Sequence, residues 1–127
     1  MKNGRWLFPM LALSLTALVS PLLAQSGPWE GTLVDSKCYL ADNSFIGNDH
    51  GSMNECGSMC LKMGQPAGLV TSDKAFHPII ASSIALAPHV GQRIRVNGTR
   101  HGESIVATKV EVNAAGSWQE VKLGGMM

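Results

Sequence analysis

The chain has 127 residues, ten Lys and Arg against nine Asp and Glu, a formal net charge of +1 and 45% apolar residues. That balance gives no electrostatic footprint for nucleic acid or anionic lipid. The length suits one domain with its own core.

The N-terminus reads as an export signal. Lys2 and Arg5 make a basic start, Trp6 to Ser20 is mostly apolar, and Pro21-Leu22-Leu23-Ala24 ends on a small residue. Cleavage is expected after Ala24, leaving 25–123 as a single domain and 124–127 as a frayed tail. Pro9 and Pro21 interrupt the apolar stretch and no later segment approaches spanning length, so no membrane insertion is expected after cleavage. The expected location is the bacterial periplasm or the medium, where cysteines usually pair. Without Lys2 and Arg5, eight cationic residues face nine acidic ones, a net charge near −1.

Trp29 to Asp35 reads as a first strand, and Ser36 to Gly51, rich in Asn, Asp and Gly, as a loop. Ser52-x-x-Glu55 is a capping box, Gly64 a left-handed stop and Pro66 a barrier to continuation, so the spacing predicts a helix over 52–63. Gly57 inside it costs about 1 kcal/mol relative to Ala. Gly68 to Thr71 and Ala75 to Ile80 read as strands across a turn, with Pro78 confining the second to an edge or a bulge. A helical turn is expected over 82–87. Arg93 to Gly98 alternates clearly, with Ile94 and Val96 on one face and Arg93 and Arg95 on the other. A turn at 100–103 leads to a strand over 104–112, with Val106, Val110 and Val112 sharing a face. A short strand over 119–123 closes the pattern. Five of these short strands with one inserted helix predict a mainly β fold, a small five-stranded OB-like barrel.

The chain resembles a family of small exported bacterial proteins of unknown function with an OB-like barrel. The resemblance rests on Gly31-x-Leu33-x-Asp35-x-x-Cys38, on Cys56-x3-Cys60 followed by Gly64, and on Leu86-x-x-His89-x-Gly91-x4-Val96-x-Gly98-Thr99. It implies the barrel and a cysteine site rather than an activity.

The predicted helix carries the most informative pattern. Met53, Cys56, Met59, Cys60 and Met63 would occupy an arc of about 120°. Soft thiolate and thioether donors suit zinc or Cu(I). Cysteines four apart on a helix hold their Cβ atoms about 5–6 Å apart, whereas a disulfide wants about 3.5–4.5 Å. Cys56 and Cys60 are therefore poor partners for each other but plausible co-ligands. With Cys38 and His50 they make a Cys₃His set, a known structural zinc arrangement, although C-x11-H-x5-C-x3-C is not a standard finger spacing. For Cu(I), Met53, Met59 and Met63 become candidate ligands; otherwise they read as core fillers on a buried face. Asp35 is placed to orient a ligand or simply to end its strand.

Two other readings stay open. A bridge from Cys38 to Cys56 or Cys60 would close a loop of about 20 residues, contribute about 3 kcal/mol and leave one thiol over. That would make a disulfide-stabilised interaction module without metal. A thiol redox protein is the third reading, because a helix N-terminus favours the thiolate at Cys56. Against it, C-x3-C is not the C-x-x-C of thioredoxin-like enzymes. His77, His89 and His101 read as hydrogen-bonded or solvated. No Ser-His-Asp order, paired carboxylates or phosphate loop is apparent, so a binding module is favoured over an enzyme.

Overall fold

The structure, a computed structural model, describes residues 24–124. The expected signal (apart from Ala24) and the last three residues of the expected tail lie outside them.

Seven strands form one sheet: β1 (Gln25–Ser26), β2 (Trp29–Asp35), β3 (Ala67–Val70), β4 (Phe76–Ile80), β5 (Arg93–His101), β6 (Ser104–Ala114) and β7 (Ser117–Val121). Their order is β1-β5-β2-β3-β4-β6-β7, and β5 also pairs with β6. That extra pairing closes β2, β3, β4, β6 and β5 into a five-stranded ring, the OB-like barrel expected from the sequence. All its ladders are antiparallel except β4 with β6. The alternating side chains fill it: Leu33, Leu69, Ile79, Ile94, Val96, Ile105, Val110 and Val112 are buried in one cluster. On the outer face Arg93 and Arg95 both donate to Glu30, at 2.7 and 3.0 Å, and Arg95 also lies over the Trp118 ring.

Two expectations about the strands change. Pro78 does not sit on an outer edge: β4 lies inside the ring, but its pairing with β6 starts only at Ile79. Val106 does not share the core face of Val110 and Val112. Asn97 pairs with Lys109 but Gly98 with Ala107, so Thr108 is the extra residue of a bulge, and every side chain before it changes face. Ile105 is buried in place of Val106, which is exposed. Gly98 is required there, because a Cβ would run into the Val106 carbonyl.

Three short helices cover one part of the barrel: α1 (Ser36–Ala41), α2 (Cys56–Lys62) and α3 (Ser83–Leu86), the last running into a 3₁₀ turn at Ala87–His89. The stretch read as a loop after Asp35 thus begins with α1. Among the described residues no helix is long and apolar enough to cross a membrane.

Candidate metal centre

The first two donors come from the end of a barrel strand. Asp35 is both the last residue of β2 and the N-cap of α1, its Oδ1 accepting from the Lys37 backbone N–H at 3.0 Å. Ser36 N–H donates to the Pro66 carbonyl, tying the start of α1 to the segment that follows α2. Cys38 follows in the first turn of α1.

The remaining donors come from α2 and the loop before it. The helix starts at Cys56, four residues later than expected, and the Ser52–Glu55 capping box does not form. Glu55 takes a left-handed conformation (φ 54°) and makes no side-chain cap. Its place is taken from upstream. Asp49 Oδ1 accepts from Glu55 N–H at 2.7 Å, the Asn48 carbonyl accepts from Gly57 N–H at 2.9 Å, and Asn48 Oδ1 accepts from Ser58 N–H at 2.7 Å. The stop is as expected: Gly64 is left-handed, Gln65 N–H bonds to Cys60 O and Gly64 N–H to Leu61 O, which is a Schellman motif.

The same loop presents His50. Its backbone exchanges two 2.9 Å hydrogen bonds with Met53, and its ring stacks on Phe45 at 4.8 Å. Nε2 lies 3.0 Å from the Gly47 carbonyl, which only accepts, so Nε2 carries the proton and Nδ1 presents a lone pair. Nδ1 is buried and has no hydrogen-bond partner. A ring held by one nitrogen with the other free is the usual arrangement of a metal-ligating histidine.

The structure gathers these groups. The ligand atoms of Cys38, His50 and Cys56 lie within 4.8 Å of one another, as do those of Asp35, Cys38 and Cys60. Tetrahedral zinc with Zn–S near 2.3 Å sets its donors about 3.5–3.8 Å apart, so contraction of about an ångström closes either set. Asp35 is 1% exposed and its Oδ2 is buried without a hydrogen-bond partner. Burial, followed by the neighbouring Asp35 carboxylate, pushes the Cys38 thiol up to about 12 from an ordinary 9.0. Burial and then Asp35 raise Cys60 as well. Burying a carboxylate beside two thiols without a cation is unfavourable. A metal ion would reverse that.

All four expected ligands, Cys38, His50, Cys56 and Cys60, are therefore brought to one place, and Asp35 joins them as a potential donor. Its position at the strand end was legible from the sequence, but its proximity to Cys60 was not. His77 and His89 are hydrogen-bonded elsewhere, to the Glu103 carbonyl and to Gln92, and His101 is exposed.

Two expectations fail. The bridge from Cys38 to Cys56 or Cys60 is not formed: all three cysteines are free thiols. The methionines are not core fillers either. Met53, Met59 and Met63 are 60%, 57% and 76% exposed. The buried face of α2 is Gly57, Ser58 and Leu61, and at about 100° per residue Met59 and Met63 point roughly the opposite way.

No family model, no curated protein and no solved structure matches this chain. The resemblance drawn from its motifs rests on those residues alone.

Proposed function

We propose that this chain is an exported bacterial protein whose barrel carries a centre for a soft metal ion, held by Cys38, His50, Cys56 and Cys60. The observation that carries the reading is His50, with Nε2–H committed to Gly47 O, a buried and unpartnered Nδ1, and a ring placed within 4.8 Å of the Cys38 and Cys56 sulfurs. Sulfur, imidazole and carboxylate together are a donor set that zinc accepts throughout, whereas Cu(I) prefers the sulfurs alone. With the methionines exposed, zinc fits better than copper. A thiol oxidoreductase centred on Cys56 fits less well, since Cys56-x3-Cys60 is not the C-x-x-C spacing of thioredoxin-like enzymes.

One native sample tests the proposal. Protein expressed with its N-terminus and purified without chelator should begin at Gln25 by intact mass, carry tightly bound zinc by elemental analysis, and show no disulfide. Cys38→Ser should remove the metal. Metal-free protein with Cys38 oxidised to Cys56 or Cys60 would overturn metal binding in favour of the disulfide-stabilised module. An uncleaved chain retained in the cytoplasm would overturn export.

A further inference from the structure

The five donor groups do not form one shell. They form two triads, Cys38–His50–Cys56 and Asp35–Cys38–Cys60, each with its ligand atoms within 4.8 Å of one another, and Cys38 belongs to both. Each triad also contains a residue with one buried atom that has no hydrogen-bond partner: Nδ1 of His50 in the first, Oδ2 of Asp35 in the second. The other oxygen of Asp35 is already committed to the Lys37 N–H. An ion in the first triad satisfies His50 and leaves Asp35 Oδ2 as it was, buried in a residue that is 1% exposed.

We propose that Asp35, Cys38 and Cys60 hold a second divalent metal ion, bridged to the first through the Cys38 thiolate. This rests on the metal-binding reading of the cluster and extends it from one ion to two, with Cys60 passing from the shell of the first ion to that of the second. A thiolate sulfur retains lone pairs for two metals, so Cys38 can serve both triads at once. The charges close as well. Three thiolates and one carboxylate carry four negative charges, which two divalent cations neutralise and one does not. Carboxylate oxygen, imidazole nitrogen and thiolate sulfur are all zinc donors. Assembly is proton exchange alone: three S–H bonds break, three protons pass to the buffer, and no oxidant or reductant is required.

The test is stoichiometry. Metal-free full chain under reductant is titrated with Co²⁺, followed by its sulfur-to-cobalt absorption, and in parallel with Zn²⁺, followed by elemental analysis after desalting. Two ions per chain are expected. Asp35→Asn should bind one, and it keeps both the shape of the side chain and an oxygen to cap Lys37. Cys60→Ser should also bind one, and provides the comparison if Asp35→Asn does not retain the circular dichroism of the parent. Cys38→Ser should bind none. Saturation of the parent at one ion, unchanged in Asp35→Asn, would overturn the second position and leave the single-ion reading standing. Two ions retained by both Asp35→Asn and Cys60→Ser would overturn the assignment of donors. No ion at all would overturn both readings.

Discussion

Metal loading should fall steeply as the pH is lowered, and Cys38 sets the minimum slope. Burial, with Asp35 second, raises its thiol from 9.0 to about 12, and Cys60 is raised by the same causes. Both are thiols across the neutral range, so each must release a proton when it ligates. At pH 7 a group at 12 is ionised in about one molecule in 10⁵, against about one in 10² at 9.0. Protons therefore compete about a thousandfold better at Cys38 than at an ordinary thiol. Lower pH adds protons to the metal-free state and opposes binding, and higher pH favours it until about 12. Each ligating thiol contributes about tenfold in affinity per pH unit below its own value. Between pH 8 and pH 6 affinity should drop at least about 100-fold through Cys38, and about 10⁴-fold for loading that also engages Cys60. Competition against a chromophoric chelator under reductant measures it. A change of less than tenfold per pH unit would show that Cys38 does not bind as a thiolate, and would refute the cluster as a metal centre. The same shift acts on the metal-free fold with a defined sign. A thiol raised in the folded state contributes stability that is intact below its unfolded value, near 9.0, and lost as the pH climbs towards about 12.

Three variants test the scaffold and the methionines. Helix propensity alone says that Gly57→Ala should stabilise α2 by about 1 kcal/mol, but the new Cβ would sit 2.7 Å from Val90 Cγ1. We expect the clash to win, with a loss of about 1–3 kcal/mol in urea denaturation; a gain would show that α2 does not pack this tightly. Asn48→Ala leaves the Ser58 N–H without its acceptor and should cost about 1–2 kcal/mol, with weaker metal affinity because the same loop carries His50. Unchanged stability and affinity would mean that Asn48 does not anchor the helix. Replacing Met53, Met59 and Met63 together with Gln should leave metal content unchanged and alter stability by no more than about 0.5 kcal/mol per site. Loss of metal in that variant would restore the thioethers as ligands.

The barrel was legible because its signals are local. Alternation at Ile94 and Val96, turn residues between strands and the Gly64 stop each act over a few positions, and the closed ring follows from them. The misreadings share one cause, which is that contacts from outside the local window decided the outcome. The capping box at Ser52–Glu55 was in place in the sequence, but Asn48 and Asp49 reach the N–H groups first, across six to ten residues. The bulge at Thr108 is set by its pairing with β5, and nothing in the valine spacing of β6 announces it. The sulfur arc shows the same effect most clearly. From Cys56 to Met63 its geometry was right, with Met53 left outside the helix, but the inference that an arc of sulfur is a buried arc was not. The helix buries its small side, Gly57 and Ser58 with Leu61, because only small residues let it approach Val90 and the Ala87 carbonyl, where the Ser58 hydroxyl lies 2.8 Å away. Gly57, counted as a cost in the sequence, is what permits that approach. Turning this side inward sends Met59 and Met63 to solvent and leaves Cys56 and Cys60 at the boundary, half-buried, where they meet Cys38. The donors thus come from four anchored pieces: a barrel strand end for Asp35, α1 for Cys38, a backbone-pinned loop for His50, and α2 for the other two thiols. Each piece is fixed by backbone contacts, to which Asp35 adds its cap on Lys37 and His50 its ring contacts with Gly47 and Phe45, so the cluster is held together before any ion arrives. Two ions then have only thiol protons to displace, and one orphaned buried atom each to satisfy.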